Sequence, residues 1–141
     1  MRRVHHGAVR KLDPFRSSPA RWFRRLVWVA WAIGLAMLAW ITLEPRFAPP
    51  GGQGGAMAPD KILHVLTYAL FAAFPVLAGI RWPWALAIGA GLVVYGTLLE
   101  FAQRYVPGRS FGWDDVLANV TGALIGAAIA IVLGVLLRRR R

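Results

Sequence analysis

Four stretches of this chain, Leu26 to Leu43, Ile62 to Ile80, Trp84 to Phe101 and Val116 to Leu137, are apolar over close to the roughly 20 residues that a helix needs to cross hydrocarbon. A bilayer holds no water to satisfy backbone N–H and C=O groups. Segments of this length therefore close their hydrogen bonds internally as α-helices. The feature predicts an all-α, integral membrane four-helix bundle. Composition excludes the main alternatives. At 57% hydrophobic residues the chain is far from a disordered one, and without cysteine it has no disulfide, thiol nucleophile or thiolate metal site.

The first run follows a basic segment and precedes Ala56-Met57-Ala58, the outline of a secretory signal. Its length exceeds the roughly 7–15 residues of such a signal, and Ala58 lies well past its end, so the run is read as an uncleaved helix. Orientation follows from the basic residues, which cytoplasmic flanks retain. With both termini inside, Arg2, Arg3, Arg10, Lys11, Arg16, Arg21, Arg24 and Arg25 precede the first helix, Arg81 lies in the second connection, and Arg138 to Arg141 close the chain. The other side keeps Arg46, Lys61, Arg104 and Arg109 beside Glu44, Asp60, Glu100, Asp114 and Asp115, close to neutral. The expected organisation is a basic cytoplasmic segment over 1–25, a four-helix domain over 26–137 and a basic cytoplasmic tail over 138–141. The net charge of +11 is thus a topology signal with some attraction to anionic lipid, and not a mark of nucleic-acid binding.

The connections differ in kind. Glu44 to Pro59 is rich in Gly and Pro and reads as an external loop, while Arg81-Trp82-Pro83 reads as a tight inner turn. Ala102 to Asp114 combines Pro107-Gly108 with Tyr105, Phe111 and Trp113, which suits a structured loop at the headgroup level.

Polar residues inside the apolar frame are costly and mark functional hypotheses. Asp60, His64 and Tyr68 recur every four residues and form one stripe, about 12 Å long at 1.5 Å per residue. Glu100 and Gln103 share a face of the third helix with Gly96, and Asp115 and Asn119 share one on the fourth. The spacing places His64, Glu100 and Asn119 in one layer beneath the outer surface, with Lys61, Arg109 and Asp115 above it. Taken singly, Tyr, His and Asn serve as interhelical glue, and Asp60, Asp114 or Asp115 as helix caps. Confinement to one leaflet favours a site. Elsewhere, Ala118, Gly122, Gly126, Ala130 and Gly134 form a small-residue ridge for close packing, and Pro75 should kink the second helix and release a carbonyl.

From Asp60 onward the sequence resembles the VanZ-like family of small bacterial membrane proteins. The resemblance rests on Asp60-Lys61-x-x-His64-x-x-x-Tyr68, Glu100-x-x-Gln103, Pro107-x-Arg109 and Asp115-x-x-x-Asn119-x-x-Gly122-x-x-x-Gly126. It implies a four-helix protein of the bacterial inner membrane. The family's namesake is linked to low-level resistance to the glycopeptide teicoplanin, and the polar motif residues are carried over as Asp60, Lys61, His64, Tyr68, Glu100, Gln103, Arg109, Asp115 and Asn119.

Three functional readings follow. In the first, Lys61 and Arg109 hold the phosphate of an anionic, lipid-linked cell-envelope component at the outer leaflet, and His64, Glu100, Gln103 and Asn119 orient the polar group below. The partner is then a membrane lipid, a lipid-linked cell-wall precursor or a glycopeptide. In the second, the protein is a membrane enzyme with His64 beside Glu100 or Asp115 as base and orienter, and Arg109 stabilising charge. Its weak point is the nucleophile, since the serines are Ser17, Ser18 and Ser110. In the third, it is a transporter component or a structural protein. One intramembrane His makes a poor metal site, and no cofactor is expected.

Overall fold

The computed structural model describes residues 19–47 and 59–139. Most of the basic N-terminal segment, the Gly- and Pro-rich stretch over 48–58 and the last two arginines lie outside the described residues. Four helices make up the described chain: α1 (Pro19–Leu43), α2 (Pro59–Ala73), α3 (Trp82–Gln103) and α4 (Trp113–Arg139). Short 3-10 turns follow α1 (Pro45–Phe47) and α2 (Phe74–Ala78). All four spans, counting Phe74–Ala78 with α2, are long and apolar enough to cross a membrane, and the described residues contain no strand. This is a multi-pass membrane protein.

Each helix starts before its apolar run, because backbone bonding does not require apolar side chains. Pro19, Pro59 and Pro83 stand in three of the first turns, where the missing N–H is harmless. Trp82 and Pro83 therefore belong to α3, and the chain reverses over Gly79-Ile80-Arg81 instead of at Arg81-Trp82-Pro83. Gly79 makes this possible with φ 73°, its N–H donating to the Val76 carbonyl at 2.8 Å.

Helices α2 and α4 run in the same direction and make the closest approach in the bundle. The ridge predicted on α4 faces α2: a Cβ on Gly122 would strike the Val65 carbonyl, and one on Gly126 the Ala69 carbonyl. Ala123 and Ala127, on a neighbouring face of α4, lie against Gly89 of α3. Tyr68, Ala72, Leu92 and Ala123 form the main apolar core, and Val76, Ala85 and Ala130 a second cluster toward the α2–α3 turn.

Helix α1 is attached differently. Among its described side chains, Val27 alone is buried. Pro75 ends α2 as a regular helix and has no N–H to give to the Phe71 carbonyl four residues back; that carbonyl accepts the Trp31 indole N–H at 2.8 Å. The Tyr95 hydroxyl ties α3 to α1 by donating to the Leu35 carbonyl at 2.6 Å. At the opposite end, the α3–α4 connection is ordered by backbone bonds from Val106 to Gln103 and from Arg109 to Val106, and by Phe101 and Phe111 stacked at 4.8 Å under the Arg104 guanidinium.

Candidate functional site

Parallel packing of α2 and α4 sets two helix N-termini side by side, and each carries acid in its first turn, Asp60 on α2 and Asp114 with Asp115 on α4. Carboxylates are favoured there by the helix dipole, yet three together repel one another. Lys61 resolves this. Its ammonium, on a residue 4% exposed, bonds Asp115 and lies 3.0 Å from Asp114 Oδ2 and 3.4 Å from Asp60 Oδ2. Lys61 thus points into the α2–α4 seam and does not line the adjoining cavity. The phosphate role expected for Lys61 thus falls on an ammonium that three carboxylates already engage.

One turn deeper, His64 and Asn119 meet across the same seam. His64 Nδ1 lies 3.0 Å from Asn119 Oδ1, and because an amide oxygen only accepts, Nδ1–H is the donor of this bond. Glu100 of α3 completes the layer, with Oε1 4.0 Å from His64 Nδ1 and accepting from the Gln103 amide at 3.3 Å. Glu100 is 1% exposed, and its Oε2 has no hydrogen-bond partner. Leaving a buried acceptor unsatisfied costs about 1–3 kcal/mol.

Arg109 approaches from the α3–α4 connection. Its Nη2 donates to the Phe47 carbonyl at 2.9 Å and the Ile41 carbonyl at 3.4 Å, so the guanidinium ties the connection to the end of α1. Its Nε is buried and unpartnered, as is Asn119 Nδ2.

These groups surround a cavity of about 250 Å³. Of the residues singled out by sequence, Asp60, His64, Tyr68, Glu100, Gln103, Arg109 and Asp115 line it, whereas Lys61 and Asn119 stand behind the wall. Sequence reasoning missed the α1 side, where Leu38, Ile41 and Thr42 complete the wall with Phe47, and it missed Thr67 and Ser110. Thr67 was findable, one helical turn after His64; the α1 residues carry no polar signal. The walls are amphipathic: Leu38, Ile41, Leu63 and Leu99 adjoin the polar set. Among the described residues no group of three His, Asp or Glu is arranged to hold a metal ion.

One cavity is thus lined by a guanidinium, a buried carboxylate and an imidazole, from Arg109, Glu100 and His64. A family model described as VanZ/LLP1 matches residues 3–135 of the chain. The match reaches well ahead of Asp60, where the recognisable motifs begin, and takes in α1. No curated protein and no solved structure matches the chain significantly.

Proposed function

The chain belongs to the VanZ/LLP1 family, and from that premise we propose that it binds and shields the phosphate-bearing headgroup of a lipid-linked cell-envelope component at the outer leaflet of the bacterial inner membrane. The observation that carries this reading is that two residues lining one cavity, Glu100 and Arg109, each hold a buried polar atom without a hydrogen-bond partner, Oε2 and Nε. A ligand that accepts from one and donates to the other removes both penalties. Arg109 takes the phosphate oxygen; Lys61, already held by carboxylates, positions the seam behind it.

Lateral access supports a membrane amphiphile over a water-soluble ligand. Helix α1 packs against the 3-10 turn after α2 and against α3 more than along α2 itself. The apolar wall residues, Leu38 and Ile41 on α1 and Leu63 on α2, then adjoin the space an acyl chain would occupy. In this orientation both termini are cytoplasmic. A cysteine at Tyr105, a residue 89% exposed, is expected to react with an impermeant thiol reagent from outside the cell, and one at Arg81 is not. Labelling in the reverse pattern would move the cavity to the cytoplasmic leaflet.

The direct test is mass spectrometry of lipids retained by the purified protein. Wild type is expected to retain a phospholipid or lipid-linked precursor that Arg109→Ala loses; retention unchanged by the substitution would refute the reading. A precursor withheld in this way from a glycopeptide would lower teicoplanin susceptibility, which expression in a susceptible bacterium measures.

A second reading has one observation in its favour. His64 is held through Nδ1 by Asn119 and lines the cavity, and in the neutral ring Nε2 is then the nitrogen of a general base that activates water. Turnover of a bound lipid phosphoester that stops with His64→Gln would establish a membrane enzyme.

A further inference from the structure

The charges around the cavity are unequal. Asp60, Glu100 and Asp115 line it beside Arg109, while Lys61 stands behind the wall, engaged by Asp60, Asp114 and Asp115. A ligand that brought only negative charge would satisfy Arg109 and be repelled by the carboxylates. We propose that the cavity takes a zwitterionic phosphoester headgroup, a phosphate with a primary ammonium a few bonds away. The inference rests on the reading that Arg109 holds a headgroup phosphate, and adds what meets the carboxylates.

Two buried atoms support the assignment independently of the charge count. Arg109 is held by Nη2 on the Ile41 and Phe47 carbonyls, and its Nε is buried without a partner, so the guanidinium has a donor left over for an anion. Glu100, which lines the same cavity, is 1% exposed with its Oε2 unpartnered, and Asp60 lines the cavity as well. An ammonium supplies both the N–H that Oε2 lacks and the positive charge that the carboxylates outnumber. A hydroxyl supplies only the first. A quaternary ammonium supplies only the second and leaves Oε2 without a donor.

The same chemistry is available from a lipid headgroup or from a small soluble phosphoester, so the test separates them. The full chain, stripped of lipid in detergent, is titrated in native mass spectrometry with phosphatidylethanolamine, phosphatidylglycerol and phosphatidylcholine of identical acyl chains. Glycerophosphoethanolamine is the soluble competitor. Phosphatidylethanolamine is expected to bind about tenfold more tightly than either of the others, a margin that one charge-assisted hydrogen bond provides. Glu100→Gln and, separately, Asp60→Asn should shrink that margin, so the outcome does not hang on the folding of one variant. Phosphatidylglycerol binding as well as phosphatidylethanolamine, and still lost with Arg109→Ala, would overturn the zwitterion and leave the phosphate reading standing. Binding of all three lipids unaffected by Arg109→Ala would overturn both. Displacement of the lipid by glycerophosphoethanolamine at equal concentration would keep the headgroup chemistry and overturn the lipid source.

Discussion

Along the α2–α4 seam, glycine faces backbone: Gly122 meets the Val65 carbonyl and Gly126 the Ala69 carbonyl, with the Lys61 ion cluster at the end of the same seam. Helix α1 approaches α2 through the Trp31 indole on the carbonyl that Pro75 released, and is tied by Tyr95 and Arg109 at other points. The first contact is continuous, with no slack for a side chain. The second combines separate polar ties with Trp31, Leu35 and Leu38 laid against the core, while most other α1 side chains stay exposed. The difference assigns the two regions different work. Helices α2, α3 and α4 make a frame that fixes His64, Glu100 and Asn119, and α1 makes a wall that can yield without dismantling that frame.

This contrast has a measurable order. Removing the Lys61 ammonium should do the greatest damage, since Lys61→Ala leaves three carboxylates unmatched at two adjacent helix ends. Loss of one partner from a buried ion cluster costs about 3–5 kcal/mol, and thermal unfolding in detergent should show it as a large fall in Tm. Lys61→Arg, which keeps the charge, should recover part of that fall. Next comes Gly126→Leu, whose side chain must displace the Ala69 backbone; overpacking of this kind costs about 1–3 kcal/mol. An unchanged Tm would mean that the ridge does not carry the seam. The smallest effect belongs to α1: Trp31→Phe keeps an aromatic side chain, though a smaller one, and leaves the Phe71 carbonyl without its donor, at a cost of about 1 kcal/mol. The same variant should speed hydrogen exchange in α1 without changing it in α4. Equal changes in both helices would erase the distinction between frame and wall.

Much of this could be read from residue types. The four apolar runs define the spans, the period of four along Gly122 and Gly126 marks the ridge, and Pro75 announces a carbonyl in need of a partner. The stripe Asp60, His64, Tyr68 does face the cavity. Two features were not legible, for physical reasons. The direction of Lys61 depends on which helices are neighbours, and only parallel packing of α2 with α4 brings Asp60, Asp114 and Asp115 around one ammonium. The share of α1 in the site consists of aliphatic side chains and the backbone carbonyls of Ile41 and, just past its end, Phe47. Carbonyls are common to every residue, so no sequence pattern points to them. The family match from residue 3 is consistent with α1 being integral to the fold, although the polar motifs begin at Asp60.

The central claim is that the polar layer is held for a ligand and not for the bundle's own cohesion, and Glu100 separates the two. A buried carboxylate that glues helices destabilises the protein when replaced, whereas one whose Oε2 is left unpartnered for a ligand is a burden on the empty protein. The decisive measurement is the Tm of lipid-stripped Glu100→Met in detergent, taken together with phospholipid retention by the same variant. The account predicts a Tm equal to or above that of the stripped wild type, with retention lost. A Tm lowered by several degrees with retention intact would contradict it and return Glu100 to the role of interhelical glue.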